Sequence, residues 1–495
     1  MIINKAKYCG YCQCPKQVWL KKNKNQEFVV DENAWDRVAI NNEICKLQHK
    51  LFGKVANVTT KFDDNNIQAM ISKTKRFLND GVSTISQAAF EYDGVQCVVD
   101  ILKKEVGGYS IYRTKSSTRP NQHIYMVELA FQKYVLQKCG LNVVSTNVVT
   151  INSKYDFKRK LKLKKLFKIS NVDELVEPEF EKVEDNIANL KEILDLTEEP
   201  TVDLNVGCHS PYTCGFWKYC SKHLPSVSVF DLYATSIQKK IAYYKKGIVS
   251  FQDIKNSNEN LGTIQKMQIE HFLEEKTPEI NKEKVKEFLD KLWYPLYFLD
   301  FETVQSGVPV YKKSRPYQPI PFQYSLHYMD SPNGELKHIE FLAEPGKDPR
   351  KQIAKSLVNA IPTNACVLAF NKYFEGDRIK DLSKLFPSMR KKLLLISKNI
   401  FDLSDPFTAG YVYNKNMGNS LSIKSILPAL YPNDPNLNYD NLSGVNNGNE
   451  AMLIFQKMKD MSPAEKELTK QELLQYCKLD TLAMVKIFEY LNNIK

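Results

Sequence analysis

The chain runs to 495 residues, which at roughly 150 residues per domain predicts two or three folded units. Its composition, 43% hydrophobic and 25% charged, is that of a globular protein, and no apolar run reaches the roughly eighteen residues of a membrane span, so a membrane partner is not expected. The net charge of +12 favours a polyanionic partner, read here as nucleic acid with DNA ahead of RNA, and excludes nothing further.

The N-terminus, MIINKAKYCGYCQCPKQVWL, lacks the continuous apolar core of a secretory signal, which predicts a cytoplasmic protein with reduced cysteines. Residues 1–52 carry a helical apolar pattern that ends at Gly53. From about 84 to 151 the period changes to two, and Asp93-Gly94 and Gly107-Gly108 predict hairpins in a β-meander. The segment VELAFQKYVLQKCG then reads as a helix closed by Gly140, and LNVVSTNVVTIN as an apolar strand.

Residues 154–200 are rich in Lys and Glu and are predicted helical. Their densest basic run, 154–168, reads either as a phosphate-backbone contact or as a solvated helix or linker. Residues 225–290 read as a small helical connector. A new domain opens with LWYPLYFLDFET, a strand apolar enough to be buried on both faces, and continues through FQYSLHYMD, KHIEFLAEP and ACVLAFN before turning helical. The expected organisation is an α/β multidomain chain with units at 1–224, 225–290 and 291–495.

Two cysteine groups stand out among the eleven, Cys9, Cys12 and Cys14 at the start and Cys208, Cys214 and Cys220 two hundred residues later. Structural zinc more often shows close C-x₂-C pairs, and the wide, aromatic-filled spacing of CHSPYTCGFWKYC suits an iron–sulfur cluster better. The Cys9–Cys12 pair keeps zinc as the alternative. Cys45, Cys97, Cys139, Cys366 and Cys477 read as small buried hydrophobes.

This N-terminal pattern resembles the RecB-like nucleases of PD-(D/E)XK, restriction-endonuclease-like fold that join their termini through a 4Fe–4S cluster, including the CRISPR-associated exonucleases of spacer acquisition. The resemblance implies Cys14, Cys208, Cys214 and Cys220 as cluster ligands. It also implies a nuclease site at Asp100, Lys115, Gln132 and Tyr134, but Arg113 stands where the family carries a ligand Glu. A guanidinium cannot ligate a cation, so this first site is expected to be degenerate, with Arg113 pairing with Asp100 or gripping a phosphate. Glu91 is the one candidate substitute.

In LDFET, Asp300 and Glu302 alternate on a strand and so emerge from one face, as a pair of cation ligands must. Glu375 follows the strand CVLAF at the start of a helix, and Tyr476 and Asp480 are four apart on a late helix and share a face. Asp402 reads as a helix cap. Taken in order, these pieces resemble the DEDD exonucleases of RNase H-like, DnaQ-type fold, in the subclass with a Tyr-x-x-x-Asp third motif. The chain is thus similar to uncharacterised bacterial fusions of the two nuclease folds.

That resemblance implies a 3′-to-5′ exonuclease with two Mg²⁺ or Mn²⁺ ions on Asp300, Glu302, Glu375 and Asp480, and Tyr476 orienting the attacking water. Glu375 departs from the usual Asp of the second motif. The rival expectations are a catalytically silent nucleic-acid-binding scaffold, or cleavage by the N-terminal site.

Overall fold

The computed structural model describes residues 2–30, 43–58, 66–442 and 444–494. It divides into two compact units: the first comprises 1–223 with 306–317, the second 224–305 with 318–495. The residues expected as a separate connector therefore belong with the second unit. Both units are α/β with mixed sheets, and among the described residues no helix is long and apolar enough to cross a membrane.

The first unit is built on strands β1 (Ile3–Asn4), β2 (Ala56–Asn57), β3 (Thr84–Tyr92), β4 (Val95–Glu105), β5 (Gly108–Thr114), β6 (Val143–Ile151) and β7 (Phe167–Asn171). They form one sheet in the order β2-β3-β4-β5-β6-β7, with β1 added in parallel to the start of β4. Asp93 and Gly94 both take positive φ, 49° and 71°, as the two-residue β3–β4 turn requires. The next turn is displaced by one from its expected place. Gly107 has φ 84° while Gly108 already lies in β5, where a Cβ would come within 2.3 Å of the Asn142 carbonyl oxygen.

Helices α1 (Lys5–Gln13), α2 (Pro15–Asn23), α3 (Ile67–Asn79), α4 (His123–Lys138), α5 (Asp173–Phe180) and α6 (Val183–Asp195) complete this unit. Nearly every turn of α4 is buried, Val127, Leu129, Ala130, Phe131, Val135 and Leu136 among the core residues, because it lies between the sheet and further helices. The stretch 154–200, expected to be helical throughout, contains edge strand β7; its alternating Phe167, Lys168, Ile169, Ser170 pair with β6.

In the second unit, helices α7 (Ile237–Lys245), α8 (Phe251–Asn256), α9 (Thr263–Leu273) and α10 (Lys282–Leu289) precede the main sheet, and β8 (Glu279–Ile280) pairs outside it. The sheet strands are β9 (Leu296–Val304), β10 (Ile320–Met329), β11 (Lys337–Leu342), β12 (Cys366–Ala369) and β13 (Ile400–Asp402), in the order β11-β10-β9-β12-β13. β9, β10 and β11 are antiparallel neighbours, while β12 runs parallel to both β9 and β13. β9 is thus central and nearly all buried, as its apolar run requires. The longer helices that follow are α11 (Arg350–Ala360), α12 (Lys372–Leu385), α13 (Arg390–Lys398), α14 (Ile423–Leu430), α15 (Gly448–Lys457) and α16 (Pro463–Ile494).

Candidate active site

Asp300 and Glu302 project from one face of β9, and the same face receives α16. Helix α16 buries Leu473, Tyr476, Cys477, Asp480, Thr481 and Met484, a spacing of three and four that keeps one stripe against the sheet. Gln323, directly opposite Glu302 across β10, donates to the Leu473 carbonyl at 2.7 Å. Ser325, opposite Asp300, shares a 2.6 Å hydrogen bond with the Thr481 hydroxyl, which also lies 2.8 Å from His327 Nδ1. These polar links set the height of α16 along the sheet and bring Asp480 to the strand pair.

As a result, Asp300, Glu302 and Asp480 offer carboxylate oxygens that all lie within 4.8 Å of one another. Glu375, in the first turn of α12, is 3% exposed, and its Oε2 has no hydrogen-bond partner. The helix is started by Asn371, which takes φ 101° and caps Phe374 N, while Asp402 at the end of β13 accepts from the Lys372 and Ser404 backbone N–H groups. Asp402 thus supports the start of α12 from the neighbouring strand and does not cap the short helix that follows it in IFDLSDPF, whose N-cap position is Ser404.

Burial and mutual repulsion dominate the electrostatics. Asp300 is held well above the usual carboxylate range by burial, then by Asp480, Glu375 and Glu302. Glu302 is pushed up to about 8 by burial and Asp480, with Lys424 opposing. Asp480 rises to about 6 through burial, moderated by hydrogen bonds from Tyr439 and Tyr476 and by Lys424. Glu375 is raised by burial, Glu302 and Asp480, with Arg378 opposing. Four buried carboxylates without enough positive charge are a donor set suited to hard divalent cations.

Three participants were not foreseen. Tyr439 donates a 2.7 Å hydrogen bond to Asp480 Oδ1. The Lys424 ammonium lies 4.7 and 4.9 Å from the ring centroids of Tyr439 and Tyr476, and donates to the Tyr476 hydroxyl oxygen at 3.2 Å and to the Asn446 carbonyl at 2.6 Å. Lys424 lies in the first turn of α14 and Tyr439 in a short turn beyond it, and no local spacing marks the face they share. Cys477, expected as a plain core residue, is buried but has its sulfur 3.8 Å from Asp300 Oδ2.

In the first unit, Asp100 on β4 lies one step past the Ile101–Tyr112 pair and so faces Arg113 on β5. Arg113 Nη1 is 2.5 Å from Asp100 Oδ1, and its Nε is 2.6 Å from Glu128, on α4. Lys115 reaches Glu128 at 2.9 Å, and the Thr114 backbone N–H and hydroxyl donate to Asp100 Oδ2 at 2.8 and 2.9 Å. Burial alone would raise Asp100 and Glu128, but the Arg113 guanidinium, with help from Lys5, holds both below the usual carboxylate range. Lys115 is lowered to about 8 by burial and Arg113.

Glu128 is the member the sequence reading missed. Gln132, one turn further along α4, donates to the Val98 carbonyl at 2.8 Å. Tyr134 does not join the group: six positions beyond Glu128, it is carried round the helix to lie against Lys138 and Glu184. Nor does Glu91 substitute for a ligand, since its carboxylate accepts from Gln68 and Gln96.

The four cysteines implied as cluster ligands are neighbours. Cys220 is pushed up to about 11 by burial and by Cys14, Cys214 and Cys208, against the pull of Lys16. The two segments meet through the Gln13 side chain, which donates to the Gly207 carbonyl at 2.8 Å; a Cβ at Gly207 would stand 2.5 Å from the Gln13 carbonyl oxygen. Cys214 N donates to Cys208 O at 2.8 Å, closing the loop between them. Cys9 and Cys12 pack against the core of the first unit.

Residues 297–422 match a domain of unknown function, DUF2779. The matched stretch holds Asp300, Glu302 and Glu375 and stops short of Tyr476 and Asp480. The chain is also similar to an uncharacterized protein, MG366, of Mycoplasma genitalium, at 24% identity over 227 residues, 43% of this chain and 34% of that protein. Its homolog in Mycoplasma pneumoniae, also uncharacterized, is 26% identical over 220 residues, 41% of this chain and 33% of that one. The chain thus spans about a third of the length of these curated relatives.

Proposed function

We propose that the chain is a metal-dependent nuclease whose second unit hydrolyses phosphodiesters, as a 3′-to-5′ exonuclease of DEDD type acting on DNA in preference to RNA. The observation that carries this reading is the gathering of Asp300, Glu302 and Asp480 within 4.8 Å on the central strand of a mixed sheet and its covering helix. The unpartnered buried oxygen of Glu375 supports it, because an acceptor without a donor at such a place is costly unless a cation is bound.

Two Mg²⁺ or Mn²⁺ ions held by Asp300, Glu302, Glu375 and Asp480 would supply an activated water and neutralise charge on the phosphate. The residues themselves do the positioning. Tyr476 orients the water. Lys424 donates to the phenolic oxygen of Tyr476, which leaves that hydroxyl's own proton directed away from the ammonium. Tyr439 holds Asp480 in place and favours its ionised form.

The first unit is read as a PD-(D/E)XK-like domain that binds nucleic acid and does not cut it. Both Asp100 oxygens are engaged, Oδ1 by Arg113 and Oδ2 by Thr114, and the fixed charge of the guanidinium beside them opposes a cation. The four cysteines fit a 4Fe–4S cluster better than one zinc. The wide, aromatic-filled spacing of CHSPYTCGFWKYC departs from the close C-x₂-C pairs usual for structural zinc.

The test is digestion of 3′- and 5′-end-labelled DNA oligonucleotides with Mn²⁺ or Mg²⁺. Stepwise loss of 3′ nucleotides is expected, abolished by EDTA and by Asp300→Asn and retained in Asp100→Asn. Cleavage that survives Asp300→Asn but is lost in folded Asp100→Asn would move the activity to the first unit, and binding without any cleavage would leave a scaffold. Anaerobically purified protein should also be brown, with about four irons and four sulfides per chain. Stoichiometric zinc without acid-labile sulfide would overturn the cluster.

A further inference from the structure

All eight Lys and Arg side chains of residues 154–168 are exposed. The backbone beneath them is not loose. Tyr155, Leu166 and Phe167 are buried in one apolar cluster, against which Phe157, Leu161 and Leu163 also pack. The Tyr155 hydroxyl accepts from Lys162 N at 3.0 Å, and Asn152 spans the loop by taking Leu166 O at 2.8 Å with its backbone N–H and Lys165 O at 3.0 Å with its side chain. The apolar residues of this run face inward and the cations are turned out on a fixed frame.

A second basic segment joins the first from far along the chain. Residues 306–317 belong to the first unit, where Phe157 N donates to Ser314 O at 3.0 Å and Lys313 N to Phe157 O at 2.6 Å. This bridge sets the exposed Lys312, Lys313 and Arg315 beside the first run. The two segments together carry eleven basic residues and one acidic residue, Asp156, against a net charge of +12 for the whole chain. The surface that these two adjoining segments present therefore carries ten excess positive charges of its own.

We propose that this surface binds the phosphate backbone of duplex DNA. A duplex carries one negative charge per about 1.7 Å of axis, and neutralising it with Lys and Arg releases condensed counterions. The surface offers point charges and few hydroxyl or amide side chains, so it suits phosphates rather than the 2′-hydroxyls that proteins contact on duplex RNA. Of its aromatic residues, Tyr155, Phe157, Phe167 and Tyr317 lie in or against the apolar cluster and Tyr311 is half-buried, which leaves little of the stacking platform typical of single-strand binders.

The choice of partner rests on the nuclease reading above, but the test is separate from it. Binding of the full-length protein to a labelled duplex is followed by fluorescence anisotropy in EDTA at several salt concentrations, where no metal-dependent cleavage takes place. Reversing Lys158, Arg159, Lys164 and Lys165 to Glu should weaken binding at least tenfold and make the slope of log K against log salt shallower by roughly 3. Lys312→Glu with Lys313→Glu should act in the same direction. Lys459→Glu with Lys470→Glu, two exposed lysines of the second unit, matches that charge change and should have little effect.

Thermal melts establish that each variant is folded, and Lys→Gln versions replace any that is not. An unchanged slope, an equal loss in the second-unit control, or tighter binding to single strands, duplex RNA or anionic vesicles would overturn the proposal. Failure of cleavage with this binding intact would speak against the carboxylate site and leave the surface standing.

Discussion

At position 113 the guanidinium and its two carboxylate partners are each only 10–13% exposed. A buried charge network of this kind adds little net stability over an apolar core, yet removing one partner strands the others. Arg113→Ala should therefore cost about 3–5 kcal/mol in urea denaturation, because Asp100 and Glu128 are left facing each other with only Lys115 and Lys5 nearby. Adding Asp100→Asn and Glu128→Gln to it should recover a good part of the loss, a recovery that an isolated surface pair would not give. The Asp100–Arg113 half of this network was legible in the sequence, since adjacent strands of a meander put the two opposite one another. Glu128 was not, because its presence depends on how α4 docks on the sheet, and no local period encodes that.

Helix α16 shows the same division between local and tertiary information. Its stripe of Leu473, Tyr476, Cys477, Asp480 and Thr481 could be read from spacing, as could the Asp300–Glu302 alternation on β9. What spacing does not contain is the register between them, which Gln323, Ser325 and His327 of β10 provide. Nor does it contain Lys424, from the first turn of α14, and Tyr439, from a short turn beyond it, or edge strand β7, whose Lys-rich sequence reads as helix until β6 is there to pair with it. Thr481→Val should cost about 2 kcal/mol, as it keeps the shape of the side chain but leaves His327 Nδ1 without this partner and the Ser325 hydroxyl with His338 alone. Thr481→Ser should restore most of that. His327 and His338 are lowered to about 3 and 4, both by burial first, so they are buried neutral. Their contribution is present above the ordinary histidine pKa of about 6.5 and is lost as pH falls below it toward the folded values.

Across the whole molecule the two units should answer pH and metal differently. In the second unit the folded pKa values of Glu302 and Asp480 are raised, to about 8 and about 6, and Asp300 and Glu375 are raised with them, each by burial first and then, except for Asp480, by its acidic neighbours. A carboxyl group raised in this way binds its proton more tightly folded than unfolded. Its contribution is full below the ordinary value near 4 and is lost as pH rises through the folded value. Metal-free protein should therefore show a second-unit melting transition that falls between about pH 5 and pH 8, most steeply above about pH 6.5, where the opposing contribution of His327 and His338 is complete. In the first unit Asp100 and Glu128 are lowered, so their contribution is already complete above about pH 5 and that transition should stay nearly level up to pH 7. Mn²⁺ binds only the ionised carboxylates, so the rise in melting temperature it causes should grow with pH, appear in the second-unit transition alone, and shrink sharply in Asp300→Asn. Calorimetry at pH 5.5 and 8 with and without Mn²⁺ reads all of these at once. A metal-induced rise that is equal at both pH values, or one carried by the first unit, would contradict the assignment of cation binding to these four carboxylates.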